Sequence, residues 1–174
     1  MGILQLVFAF LVTGILFGAC SLSGPLRSDP RAARYEFGKL PADWKNQKSS
    51  AEEAGPDEFF QNEKTQSLIS LNSMCRRYPD SSLETLMKQL FSPLSEVEVL
   101  ENAKTLLDER EALLKRVKGK LDGVDVEAEF IIMRKNECLF DFSLISRNSI
   151  TSDDRVDFEK FYRAFRYLGG VKEE

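Results

Sequence analysis

The clearest pattern in the chain is a two-residue alternation in its second half. Val124, Val126, Ala128, Phe130 and Ile132 alternate with Asp125, Glu127, Glu129, Ile131 and Met133. Period two belongs to a strand, here with one face apolar and the other acidic near its start. Arg134, Lys135, Asn136 and Glu137 form a polar turn, and Phe140, Phe142 and Leu144 then alternate with Asp141 and Ser143, so the strand returns as a hairpin. Upstream, residues 67–72 are strand-like with Cys75 just past them, and residues 59–63 read as a short strand or as irregular chain. Helical spacing appears twice. Leu83, Leu86, Met87 and Leu90 make one stripe, opened by Ser81 as N-cap with Glu84 three residues on and closed by Ser92-Pro93. Phe158, Phe161, Phe165 and Leu168 make the other, a helix over 153–168 capped by Ser152 or Asp153 and ended by Gly169-Gly170. Residues 96–121 fit two templates. Leu100, Ala103, Leu107, Leu114, Val117 and Leu121 suit a long helix, which propensity favours. Asp108-Glu109 equally suits a turn between two strands.

The start of the chain follows another rule. Residues 3–17 are apolar except for Gln5, Thr13 and Gly14, and they run into Gly18-Ala19-Cys20. Small residues before a cleavage point suit a signal peptidase, and a cysteine directly after them resembles the bacterial lipobox. That resemblance implies cleavage between Ala19 and Cys20, acylation of Cys20 and a membrane anchor of acyl chains. Ser21, where the sorting rule of such lipoproteins retains Asp in the inner membrane, implies the periplasmic side of the outer membrane. The alternatives are an uncleaved anchor or an ordinary signal peptide. Ser21, Ser23, Gly24, Pro25, Ser28, Asp29 and Pro30 then give tether composition. The expected organisation is a signal peptide over 1–19, a lipidated cysteine and tether over 20–34, and one domain over 35–170 with an internal loop at 46–57.

Composition narrows the chemistry. The 174 residues carry 24 Lys and Arg against 28 Asp and Glu, a net charge of −4, which argues against a nucleic-acid partner held by a basic surface. There is no histidine, which excludes serine–histidine triads, cysteine–histidine dyads and histidine-ligated zinc. The three cysteines contain no CxxC. No phosphate-binding glycine loop and no GxSxG are present.

The strings Leu107-Asp108-Glu109-Arg110-Glu111-Ala112-Leu113, Leu121-Asp122-Gly123-Val124 and Asn136-Glu137-Cys138-Leu139-Phe140-Asp141-Phe142, with Leu71-Asn72-Ser73-Met74-Cys75 upstream and the helix around Phe158 and Phe165, resemble small bacterial lipoproteins with a PsbP-like domain. The resemblance covers about residues 58–168. It implies an α+β fold, a twisted antiparallel sheet with helices 81–91 and 153–168 packed on it. It implies that residues 97–121 are a pair of strands, against local propensity. Members usually carry Gly where Glu109 stands, in a turn that suits positive φ, and Gly where Glu137 stands before the cysteine, so this chain departs from the pattern at both turns. Members are often associated with Mce-type ABC lipid-transport systems, which implies envelope transport proteins as partners.

Candidate chemistry is sparse. Asp125, Glu127 and Glu129 share a strand face and offer oxygens to a hard cation, but no glycine-bent loop gathers further ligands, so a solvated face is the expectation and no metal or cofactor is assigned. Asp141 reads as a buried acid of raised pKa or, in preference, as a residue on the exposed or helix-cap side of its hairpin. Cys75 and Cys138 remain once Cys20 is acylated; an oxidising compartment suggests a disulfide, the alternative being two separately buried thiols. Tyr35, Phe37 and Trp44 flank Leu40-Pro41 and read as a first hairpin packed into the core, or as an exposed patch. The leading expectation is a non-catalytic, lipid-anchored accessory protein with no catalytic residues. The alternatives are a carrier sheltering an acyl chain between sheet and helices, and a hydrolase using Asp141 and Glu129.

Overall fold

The computed structural model describes residues 33–47, 56–75 and 80–170. In chain order the elements are β1 (Ala33–Glu36), β2 (Trp44–Asn46), β3 (Glu58–Asn62), β4 (Leu68–Cys75), α1 (Leu83–Leu90), β5 (Ser95–Leu107), β6 (Arg110–Leu121), β7 (Val124–Lys135), β8 (Cys138–Arg147), α2 (Ser152–Arg163) and β9 (Arg166–Gly170). Seven strands form one antiparallel sheet in the order β2-β3-β4-β8-β7-β6-β5, and β1 pairs with β9 in a separate ribbon. The fold is α+β, as the resemblance implied.

Three hairpins in succession build the larger half of the sheet. Their turns are Asp108-Glu109 (φ 47° and 65°), Asp122-Gly123 (50° and 81°) and Asn136-Glu137 (49° and 60°). Positive φ at both central residues is the I′ geometry whose twist matches paired strands. Each turn fixes its register and so decides which side chains share a face. Residues 95–121 are therefore extended on both sides of Asp108-Glu109, despite their helical propensity. The sheet supplies what propensity does not: Val117 and Leu113 face one core, Ala112 and Leu114 the other.

Both faces of β7 are covered, which explains its burial from Val126 to Met133. On one face α1 packs Leu86 and Met87 against Leu113, Val117, Ala128, Phe130 and Ile132. On the other, α2 and the β1–β9 ribbon enclose Phe140, Phe142, Phe158, Phe161 and Phe165, all with no exposed surface. Ring centroids there lie 4.8–6.3 Å apart. Each buried ring contributes about 1.5–3 kcal/mol relative to exposure.

Several element boundaries differ from the sequence expectation. Ser82, not Ser81, caps α1 and accepts from the Thr85 amide, so the Ser81–Glu84 box does not form. Thr151 caps α2, with its hydroxyl accepting from the Asp154 amide. α2 ends at Arg163 rather than 168, because Phe165 and Tyr167 turn into the aromatic core at strand spacing while β9 pairs with β1. Gly169 and Gly170 are thus strand residues opposite Arg34 and Ala33. Tyr35 and Trp44 do not share a hairpin, since β1 pairs with β9 and β2 with β3. All three early aromatics nevertheless pack into the core. β1 also takes Ala33 and Arg34 from the stretch expected as tether. Gly38 lets the chain meet the end of α2: its amide donates to the Phe161 carbonyl at 2.9 Å, where a Cβ would stand 2.2 Å from the Lys160 carbonyl oxygen.

Candidate functional site

The acidic run of β7 lies inside the molecule. The Asp122-Gly123 turn sets Arg116 opposite Glu129 and Lys118 opposite Glu127, and β5 brings Glu101 opposite Arg116. A register shift between Val99 and Glu101 precedes that last pair, the kind of irregularity that re-aims a side chain. Charges thus alternate across three strands, and α2 closes them from above with Arg155. Arg155 Nε donates to Glu129 at 3.0 Å and its Nη2 to Glu101 at 2.7 Å. Arg116 Nη1 donates to Glu127 at 3.1 Å, and its Nη2 lies 3.5 Å from Glu101. Burial pushes Glu129 above the usual carboxylate range, and Arg155 opposes that rise. Glu101, Arg116, Glu129 and Arg155 line a groove of about 680 Å³ shared with Leu114, Ile150 and Tyr162. Burial raises the Tyr162 phenol to about 12. Glu127 and Glu129 are 4% and 2% exposed, so the expected solvated face is overturned. The carboxylates are occupied by arginines, and only Asp125 stays at the surface. The arrangement fastens α2 to the sheet.

Beside it lies a second buried network. Asp154 accepts from Asn62 Nδ2 at 3.0 Å and from the Ser67 hydroxyl at 2.8 Å, and Ser67 also reaches Ser146 at 3.0 Å. Trp44 Nε1 donates to Asp157 at 3.1 Å. Two acids of α2 therefore tie the helix to β2, to β3 and to Ser67 just before β4, satisfying polar groups that burial would otherwise penalise.

Asp141 sits on the opposite face. Its neighbour across β4 is Asn72, whose Nδ2 donates to it at 2.7 Å, and the next row pairs the hydroxyls of Ser70 and Ser143 at 2.6 Å. Burial, with the negative charge of Asp57 nearby, pushes Asp141 up to about 6 even though the Asn72 amide favours its ionised form. The structure thus places Asp141 as a half-buried acid of raised pKa rather than at the exposed position preferred from sequence. Asp57 itself accepts from the Ser73 amide at 2.6 Å and the Ser73 hydroxyl at 2.5 Å. Because Asp141 and Glu129 face opposite sides of the sheet, they cannot act on one substrate as a hydrolytic pair.

Cys75 and Cys138 form a disulfide. They end β4 and begin β8, directly opposite one another with Cα atoms 3.9 Å apart. The bond fastens the seam between β2-β3-β4 and β8-β7-β6-β5. Nearby, Lys135 Nζ bonds Asp108 at 2.6 Å and the Tyr167 amide donates to the same carboxylate at 2.9 Å. Burial works against the Asp108 charge, but these donors outweigh it and hold its pKa below the ordinary value. Between the sheet and the helices, where the carrier reading expects an acyl chain, phenylalanines fill the α2 side and Leu86 and Met87 with their partners fill the space under α1. Ala19 and Cys20 lie outside the described residues, as does most of the 46–57 loop.

No protein-family model matches the chain, and no curated protein matches it. Solved structures do. The chain is similar to LpqN of Mycobacterium tuberculosis, described as involved in cell envelope biogenesis, at 12% identity and a TM-score of 0.56, over 81% of this chain and 87% of that one. It is similar to the cyanobacterial PsbP (CyanoP) of Synechocystis sp. PCC 6803 at 11% identity and a TM-score of 0.55, over 87% and 99% of the two chains. It is also similar to a mutant of the protein Mog1, at 10% identity and a TM-score of 0.55, over 79% and 96%. Likeness at such identities is likeness of fold, and the fold is PsbP-like.

Proposed function

We propose that the chain is a lipid-anchored protein of the cell envelope, its PsbP-like domain acting as a non-catalytic accessory of an envelope lipid-transport system. The observation that carries the reading is the Cys75–Cys138 disulfide, because such bonds persist in oxidising compartments and are rare in the cytosol. It agrees with the export signal and lipobox-like end at Ala19-Cys20. The acyl chains on Cys20 fix the domain to the periplasmic side of the outer membrane, the tether sets its reach, and a domain surface recruits the transport partner. The buried acids support a non-catalytic role, since Glu127 and Glu129 are held by Arg116 and Arg155. The link to transport rests on the resemblance to PsbP-like lipoproteins, and the envelope role of LpqN is in keeping with it.

The test is the Cys20→Ala chain in cells fed labelled palmitate. The unaltered chain should take up label and sediment with outer membranes. The variant should take up none, and either leave the membrane or accumulate as precursor. A correctly cleaved Cys20→Ala chain that stays membrane-bound would overturn acyl anchoring. Crosslinking in the intact envelope, followed by identification of the captured protein, tests the transport assignment.

A further inference from the structure

Among the described residues, α1 covers only part of its face of the sheet. It packs on β6 and β7, with Leu139 and Ile145 of β8 reaching the same core, and the rest of the β4–β8 half lies beside the helix rather than under it. Alternation and register place those side chains in rows. Leu68 stands opposite Ile145, Ser70 opposite Ser143, and Asn72 opposite Asp141. Polarity therefore rises in steps along one direction of the face: an aliphatic row, a hydroxyl row, then an amide–carboxyl row. At the aliphatic end the sheet opens into a hollow of about 430 Å³, walled by Leu68, Leu121, Val124, Val126 and Ile145 and rimmed by Gln61 and Arg147. That volume is in the range of small-molecule sites. Leu121 and Val124 are 36% and 47% exposed there, apolar surface that the fold leaves open to solvent. From Ile145 to Asp141 is four residues of strand, about 13 Å.

We propose that this half-face binds a single-chain amphiphile, its apolar chain in the Leu68–Val126–Ile145 hollow and a neutral hydrogen-bonding head at Asn72 and Asp141. A neutral head is favoured because the Asp141 carboxyl already stands in that row beside Asn72, so a carboxylate or phosphate would meet an acid. Asn72, Ser70 and Ser143 supply donors and acceptors to a hydroxyl or ester. The Asp141 carboxylate, which accepts from Asn72 Nδ2, can likewise accept from a hydroxyl of such a head. The site is separate from acyl anchoring at Cys20 and does not depend on it.

The experiment is photolabelling of the full chain in its own membranes with a diazirine analogue of monodecanoylglycerol, followed by mapping of the adducts. Adducts should fall on Leu68, Leu121, Val124, Val126 and Ile145. The Val124→Glu and Leu121→Glu chains alter exposed positions, so they should keep the Cys75–Cys138 bond and the helical circular dichroism while labelling falls about tenfold, the equivalent of about 1.4 kcal/mol. Asp141→Asn should retain labelling and Asp141→Leu lose it. A diazirine analogue of decanoate should label weakly. Adducts spread evenly over the surface, undiminished labelling in folded Val124→Glu, or equal labelling by the decanoate analogue would each overturn the proposal. Acyl anchoring is read separately by palmitate label on Cys20, so its failure is distinguishable from a failure of these adducts.

Discussion

On the α2 face of the sheet, acids taken out of water have been given partners: Glu127 and Glu129 meet arginines, and Asp154 meets an amide and a hydroxyl. On the α1 face Asp141 has the Asn72 amide as partner, while burial and the charge of Asp57 raise its pKa. The first face is also filled with phenylalanine rings, while the second leaves an aliphatic hollow open beside its helix. One sheet thus carries a face whose acids are paired with cations and donors around a charged groove, and a face whose acid is half-buried in a polar row that leads to an apolar hollow. The difference locates candidate function by the cost of what is left: a half-buried acid that raises the energy of the folded state is more informative than a paired one.

The largest expected effect tests the α2 face. Phe161 has no exposed surface and touches Phe37, Phe60 and Phe142. Phe161→Ala should cost about 3–5 kcal/mol in denaturant unfolding. A cost below about 1 kcal/mol would mean that this face repacks freely and that the contrast between faces is false.

Next comes the seam. The disulfide joins residues 63 apart in sequence, and removing it through Cys75→Ala with Cys138→Ala should lower stability by about 2–4 kcal/mol. Equal unfolding midpoints for oxidised and reduced chains would show that the seam is held by β4–β8 pairing alone.

How much of this contrast was readable without a structure depends on where each partner lies in the chain. The hairpin around Asn136-Glu137 was legible because alternation there is local. The Leu107–Arg110 hairpin was legible only through resemblance, since Leu, Glu, Lys and Ala in sequence favour helix and the sheet overrides them. The burial of Glu127 and Glu129 was missed because their cations arrive from β6 and α2. A signal existed: Asp122-Gly123 is a strong I′ turn, and counting outward from it sets Arg116 against Glu129. Arg155 carried no such signal, because helix docking is set by the phenylalanine core. The short α2 was missed for a related reason. Phe165-Arg166-Tyr167-Leu168 alternates as a strand, but its partner β1 is about 130 residues earlier.

Asp141 allows a test on the open face. Its pKa is about 6 in the folded chain against 3.8 as the ordinary value, so between those pH values the folded state holds more protons. Stability must then fall as pH rises from about 4 to about 6, and the full penalty persists above that window. Asp141→Asn should therefore stabilise the chain at pH 7 by about 3 kcal/mol, and by nothing near pH 3. Urea midpoints at the two pH values check this. A variant less stable at pH 7 would show that the carboxylate is as well satisfied as those on the α2 face.

The smallest effect gauges the backbone that both faces share. The second turn position is Glu109 in one hairpin and Gly123 in the next, at φ 65° and 81°. A left-handed conformation costs a residue with a Cβ about 1–2 kcal/mol, and glycine gives back about 0.5–1 kcal/mol through its greater freedom when unfolded. Glu109→Gly should then stabilise the chain by about 0.5–1 kcal/mol. Gly123→Ala should do the reverse by a similar amount, and through the backbone alone, since a Cβ there meets nothing within 4 Å. Thermal unfolding of both variants and the double variant reads the pair, which should be additive because the turns lie at opposite ends of β6. A destabilising Glu109→Gly would mean that the Glu109 side chain contributes more to the hairpin than its strained backbone costs.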